Sequence, residues 1–164
     1  EWIGQIIEGV SIIDKKNKIA HLNNRDCKFS YRESRFKNNP QEIILEADFL
    51  LKKEKKEIIE QKIKSFLEAR GKQPKGKSAG SVFKNPPGDS AGRLIDQADL
   101  RGKKIGQAQI SEKHANFIIN TGGAKAQDVL ELIRLAQKTV KEKFNVNLEL
   151  EIKLVGFSNE TTKQ

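Results

Sequence analysis

The chain has 164 residues, a formal net charge of +9, 36% hydrophobic and 32% charged residues, one cysteine, two histidines and no methionine. That length suits one ordinary domain or parts of two and allows a real core, and the charge favours anionic partners such as nucleic acid, acidic membrane or phosphate-bearing small molecules. Cys27 alone excludes an intramolecular disulfide and fits a reducing interior, His21 and His114 lack metal-ligand spacing, and no apolar run approaches the roughly 20 residues of a membrane span.

Nothing at the start resembles a signal peptide. The start at Glu1 and the absence of methionine lead us to expect a segment or a processed product. Residues 10–22 read as a hairpin: Val10, Ile12 and Ile13 before the turn-like Asp14-Lys15-Lys16-Asn17, then Ile19 to Leu22 returning. His21 is expected on a strand face as a plain polar residue. Asn23 or Asn24 is expected to cap a short helix running to Phe29, with Cys27 a small buried hydrophobe rather than a nucleophile.

Tyr31-Arg32-Glu33-Ser34-Arg35-Phe36 has neither helical nor strand periodicity. Two arginines beside an aromatic could clamp a carboxylate or phosphate; the plain alternative is an arginine salt bridge on a surface loop. Residues 42–51 are apolar and strand-like. Residues 52–70 are expected to be helical, with Ile59, Ile63, Phe66 and Leu67 forming one apolar stripe and the charge run a solvated face. Gly71 ends that helix and Pro74 prevents its resumption. Residues 71–77 hold glycine, proline and lysine without apolar residues, and a domain boundary is expected there.

Ser78-Ala79-Gly80-Ser81-Val82-Phe83-Lys84-Asn85-Pro86-Pro87 is the stretch richest in chemistry. Ala79 and Gly80 let a ligand approach the backbone. Ser81 offers a hydroxyl there, and Lys84 and Asn85 offer donors suited to anionic oxygens. Pro86 and Pro87 stiffen the exit. The plain alternative is a surface turn with an ordinary serine. Residues 91–98 are expected to form a short helix behind the cap region Gly88-Asp89-Ser90. Residues 102–110 look irregular or weakly strand-like, and residues 117–120 a short buried strand. Residues 125–144 form an amphipathic helix with Val129, Leu132, Ile133, Ala136 and Val140 inward and Asp128 at its positive end. Residues 146–154 alternate cleanly, which predicts a strand with Glu149 and Glu151 on its solvent face. The tail beyond Phe157 is polar and expected to fray.

Five of these stretches together resemble one family, the flavin-dependent UDP-N-acetylenolpyruvoylglucosamine reductases (MurB) of bacterial cell-wall synthesis. They are Tyr31 to Phe36, Ser78 to Pro86, Ala91-Gly92-Arg93-Leu94-Ile95-Asp96, Ser111 to Ile118, and Leu148-Glu149-Leu150-Glu151-Ile152. Leu67-Glu68-Ala69-Arg70 ahead of Gln73-Pro74 also matches. The resemblance implies an α+β fold: residues 1–72 as the later part of a flavin-binding α+β region, residues 73–155 as a C-terminal substrate-binding α+β domain, and residues 156–164 as a polar tail. The family's N-terminal part, with its glycine-rich loops for the flavin pyrophosphate, has no counterpart here. The chain is therefore expected to be a truncated portion, inactive alone, with that N-terminal part as a missing partner. The absence of an insertion after the Tyr31 motif points to the family's shorter subtype.

The implied reaction is bacterial and cytoplasmic and serves peptidoglycan precursor synthesis. NADPH reduces FAD, and the flavin passes a hydride to the enolpyruvyl double bond of a UDP-sugar, giving UDP-N-acetylmuramate. Charge develops on the other alkene carbon and spreads into the carboxylate, so preorganised positive or proton-donating groups are needed. By resemblance Arg32 is the catalytic arginine and also a flavin contact, Ser81 the proton donor and Glu151, not Glu149, the catalytic glutamate. A carboxylate beside a dianion would repel it, so Glu151 is expected to be protonated or to share a proton there. Tyr31, Lys84, Asn85 and His114 fall to the substrate, with Asn85 on the diphosphate or the nicotinamide, Lys84 either on the diphosphate or stabilising the serine alkoxide, and Arg70 or Lys72 reaching the diphosphate. Gly92 and Arg93 are expected to shape the pocket wall. For His114 the plain alternative is a buried, hydrogen-bonded histidine. No metal, membrane or nucleic acid is expected. The alternative class is a basic, non-catalytic module for nucleic acid or other anionic partners, whose affinity would fall steeply with salt.

Overall fold

Val10 and Ile12 sit on alternate positions of a β-branched run, and that period-two pattern becomes β1 (Ile7–Ile13), the central strand of a three-stranded antiparallel sheet. In the computed structural model, which describes residues 2–71 and 73–156, the chain divides into two compact units, Glu1–Lys62 and Ile63–Gln164. In the first unit β1 pairs with β2 (Ile19–Asn23) on one side and β3 (Ile43–Phe49) on the other. The hairpin turn is held by Asp14, whose Oδ1 accepts from the N–H of Lys16 and of Lys18, and by Asn17 at φ 57°. Val10 and Ile12 are each 1% exposed, and Ile7 and Cys27 complete their core, with Phe29 and Phe36 packed against it.

The short helix expected before Phe29 does not form. The Asn23 side chain does accept from Asp26 N–H, and Cys27 N–H is shared between the carbonyls of Asn23 and Asn24. Lys28 then turns left-handed at φ 49°, so the backbone leaves the helical path after one turn. A four-residue helix, α1 (Arg35–Asn38), occupies the end of the stretch read as aperiodic.

The long amphipathic helix, α2 (Lys56–Gly71), starts four residues later than expected, and the division between the units falls within it. Its apolar stripe is present but uncovered: Phe66 is 62% and Leu67 64% exposed. The next element departs from expectation. Residues 77–81, read as the end of a linker and the start of a loop, form β4 (Lys77–Ser81). Four strands give the sheet β4-β7-β6-β5, with β5 (Lys104–Ile105), β6 (Ala108–Ile110) and β7 (Phe117–Asn120).

Helix α3 (Ala91–Gln97) begins where Ser90 Oγ accepts from Arg93 N–H. Helix α4 (Ala126–Phe144) begins where Asp128 Oδ2 accepts from Lys125 N–H at 3.0 Å, and ends on left-handed Asn145. Leu132, Ile133, Ala136 and Val140 of α4 pack with Leu94 and Ile95 of α3, Ile110 of β6 and Phe83 in the core of this unit. Residues 146–150 keep the expected alternation in their burial, with Leu148 buried and Asn147 and Glu149 exposed, and it breaks at Glu151, which is half-buried. They do not form a ladder, and Phe83 and Leu150 make an isolated bridge. The segment opposite them runs into Pro86 and Pro87, which have no N–H to continue one. Among the described residues no helix is long and apolar enough to cross a membrane, and no three His, Cys, Asp or Glu residues group as a metal site.

Candidate active site

Ser81 stands at the end of a bulged strand. On β4, Ser78 pairs with Ile119 and Ser81 with Phe117, so Ala79 and Gly80 together face Ile118 alone. An extra residue of this kind bends a strand and re-aims the side chain that follows. Gly80 takes φ 82° to make the bend, and a Cβ built on it would meet nothing within 4 Å. The space in front of this backbone is therefore open, as close approach by a ligand requires. Ser81 is half-buried beside it.

Past Ser81 the chain runs between two supports. On one side Val82 N–H donates to the Asn116 carbonyl at 2.8 Å, Phe83 N–H donates to Asn116 Oδ1 at 2.9 Å, and Asn116 Nδ2 donates to the Phe83 carbonyl at 2.8 Å. On the other side Lys84 N–H donates to the Glu149 carbonyl, and Glu151 N–H to the Val82 carbonyl, each at 2.8 Å. The Val82 and Phe83 side chains are 2% exposed, sunk in the core. Ser81 and Glu151, far apart along the chain, are thus brought to one place: the backbone of Glu151 is bonded to the residue that follows Ser81.

The two glutamates differ, which the alternation alone did not predict. Glu149 is exposed, and its carboxylate lies 3.4 Å from Lys84 Nζ. Glu151 is half-buried rather than on an open face. Lys84 is half-buried and aims at Glu149. Asn85 is exposed, and its Oδ1 accepts from Ala91 N–H at 3.1 Å, so that oxygen helps to start α3. Arg93 is engaged with Asp89 and Gln97. Its bond to Asp89 holds that carboxyl below the usual range.

His114 is hydrogen-bonded but exposed, which corrects the burial in its plain reading. Its Nδ1 accepts from Asn116 N–H at 3.2 Å, and its ring lies 5.0 Å from that of Phe117. Gly92 sits beneath it, where an added Cβ would come within 2.9 Å of Cε1. Ser111 Oγ caps the same turn, accepting from the N–H groups of Lys113 and His114.

Tyr31 and Arg32 lie in the first unit, at the tip of a tight turn. Ser30 and Glu33 exchange reciprocal backbone hydrogen bonds at 3.1 Å, Arg32 takes φ 55°, and its guanidinium stands 5.7 Å from the centre of the exposed Tyr31 ring. Lys37 Nζ donates to the Arg32 carbonyl. Next to this turn is a concavity of about 620 Å³ lined by Lys28, Ser30, Glu33, Ser34 and Arg35 among others. The second arginine of the motif follows the plain reading: Arg35 pairs with Glu42 at 2.7 Å. That bond lowers the Glu42 carboxyl and raises the Arg35 guanidinium. Burial pushes the Cys27 thiol up, against a nucleophilic role. Arg70 is exposed in the last turn of α2; Lys72 lies outside the described residues.

Residues 72–155 match the family model described as UDP-N-acetylenolpyruvoylglucosamine reductase, C-terminal domain. A UDP-N-acetylenolpyruvoylglucosamine reductase of Caldanaerobacter subterraneus subsp. tengcongensis is 48% identical over 153 residues, covering 92% of this chain and 50% of that protein. One of Bacillus licheniformis is 42% identical over 156 residues, covering 94% of this chain and 85% of that protein. The crystal structure of the reductase from Thermus caldophilus superposes with a TM-score of 0.80 at 41% identity, over 92% of this chain and 53% of that one. The Bacillus licheniformis protein aside, the chain spans about half the length of these relatives.

Proposed function

The chain belongs to the UDP-N-acetylenolpyruvoylglucosamine reductase family, as its C-terminal portion, and from that premise we propose that it supplies the substrate-protonating half of an FAD- and NADPH-dependent reduction. The substrate is a UDP-sugar enolpyruvyl ether and the product UDP-N-acetylmuramate, made in the bacterial cytoplasm for peptidoglycan. In this reading residues 1–72 belong to the flavin-binding region, residues 73–155 cover the substrate, and residues 156–164 are a tail. The remaining flavin-binding part is the stretch of the relatives that this chain does not span.

The observation that carries the reading is the bond from Glu151 N–H to Val82, next to the Ser81 bulge. It brings the backbone of Glu151 beside that of Ser81, which supports an acid and a hydroxyl acting on one substrate. In the first unit Arg32 stands beside a concavity lined by Lys28, Ser30, Glu33 and Arg35, with Arg35 already paired to Glu42; Lys28 and Ser30 are the donors there suited to an anionic group. Arg32 would hold the substrate carboxylate and contact the flavin, a task suited to a permanently charged fork.

When bound, FAD reduced by NADPH would supply a hydride for the alkene carbon remote from the carboxylate. The electron pair left on the other carbon spreads into the carboxylate, where Arg32 counters it. Ser81 then gives its hydroxyl proton to that carbon, completing the saturated lactyl ether. Glu151 shares a proton with the carboxylate side of the same enolate. Lys84 steadies the alkoxide left on Ser81, within reach of Glu149. Tyr31, Asn85 and His114 contact the substrate, and Arg70 or Lys72 its diphosphate.

Ser81→Ala in the holoenzyme tests this. Reduction of the flavin by NADPH should proceed at the normal rate. Reduction of the enolpyruvyl substrate should slow by roughly 10²–10⁴-fold, the usual worth of a general acid. Equal turnover of variant and parent in rapid-mixing experiments would remove Ser81 from the chemistry.

A further inference from the structure

We infer that Asn116 positions Ser81 for proton transfer, an inference that rests on the reading of Ser81 just given. Asn116 is 4% exposed and, with Ser111, is one of the buried polar side chains among the described residues. Both polar ends of its amide are spent on one residue, Phe83, at 2.9 and 2.8 Å, while its own carbonyl holds Val82. A side-chain amide used in this way imitates a strand partner, offering one acceptor and one donor to the N–H and C=O of a single residue. The Asn116 N–H is in turn fixed on His114 Nδ1.

This clamp matters because of what precedes it. Ser81 leaves a bulge whose left-handed glycine has no side-chain contacts to stiffen it. The position of the hydroxyl is therefore set by the pairing of Ser81 with Phe117 on β7 and, from the following side, by Val82 and Phe83. Those two are held by Asn116 on one flank and, through the Val82 carbonyl, by the backbone N–H of Glu151 on the other. Asn116 touches no reacting atom; it keeps the hydroxyl and Glu151 in register with each other. Positioning of this kind is sensitive, since a displacement of about 1 Å can cost around 100-fold in rate.

The substitutions separate the two bonds. Asn116→Ala removes both. Asn116→Asp keeps the acceptor for Phe83 N–H and loses the donor to the Phe83 carbonyl. In the holoenzyme, Asn116→Ala should leave flavin reduction by NADPH within about twofold of the parent and slow substrate reduction up to about 100-fold. The solvent deuterium isotope effect on the substrate step should rise, as proton transfer becomes limiting. Exchange of the Phe83 amide hydrogen should accelerate. Asn116→Asp should keep Phe83 protected and lose less rate, and it carries the same comparison if the alanine variant does not fold. Unchanged substrate reduction in a folded Asn116 variant, where Ser81→Ala slows that step, would overturn this inference alone. So would an equal fall in both half-reactions with an unaltered isotope effect. If Ser81→Ala leaves the substrate step intact, the parent reading falls and this inference with it.

Discussion

Two arginines three positions apart take different paths, and the reason lies in single contacts. Arg35 finds Glu42 through two guanidinium nitrogens; Arg32 stays at a turn tip beside Tyr31. The Glu42 carboxyl is lowered by that bond, so its contribution to stability is complete above the ordinary carboxylate range. It drains as the pH falls through the lowered value in the folded state. Glu42→Gln should therefore flatten the acid side of the stability profile, by less than about 1 kcal/mol for a partly exposed pair. Thermal unfolding between pH 2 and 6, roughly spanning the carboxylate range, would show it; a parallel profile would mean the pair adds nothing. Asp14, Asp89 and Asp96 are lowered as well, so the slope should shrink without vanishing. At this scale the sequence was a partial guide. It could not separate Glu149 from Glu151 by alternation, because what distinguishes them is the neighbouring loop. It placed Asn116 in a matching motif without revealing the two bonds that make it a clamp.

The elements whose partners are local were legible. Periodicity predicted the β1–β2 hairpin, β3, α3 and α4 nearly to their ends, since their side-chain pattern and caps lie within them. β4 was not legible, because Ser78, Ala79 and Gly80 have no strand composition; the pairing is imposed by β7. Residues 146–154 erred the other way: their alternation serves packing under Phe83, and no ladder follows from it. The bulge in β4 gives a direct test. Gly80 is left-handed with open space where a Cβ would stand, so Gly80→Ala meets no clash and strains only the backbone. The strain should cost about 1–2 kcal/mol, visible as a lower denaturant midpoint. A neutral result would mean that the bulge relaxes to an ordinary strand, and Ser81 would then be displaced.

Across the whole molecule the +9 charge agrees with the proposed ligands, since the UDP-sugar, FAD and NADPH are all anionic. The residues that the family resemblance groups together fall in different compact units, and no pattern of spacing in the sequence links them. Arg32 belongs to the first compact unit, and Ser81 and Glu151 to the second. The Caldanaerobacter and Thermus proteins extend over about twice this length, and the resemblance would put the flavin pyrophosphate loops in that extra stretch. Purified by itself, the chain should be colourless and should not oxidise NADPH. A yellow preparation with a flavin spectrum would overturn that expectation.

The outer strand β3 has a practical consequence for anyone producing this segment. Ile43, Ile44 and Leu45 are at least half exposed along it, and its outer edge hydrogen-bonds to no other strand of its sheet. An apolar rim of that sort is a template for adding strands from other molecules. The segment would then be governed in the test tube by its own concentration: clear when dilute, and prone to sticky, irreversible clumping when crowded.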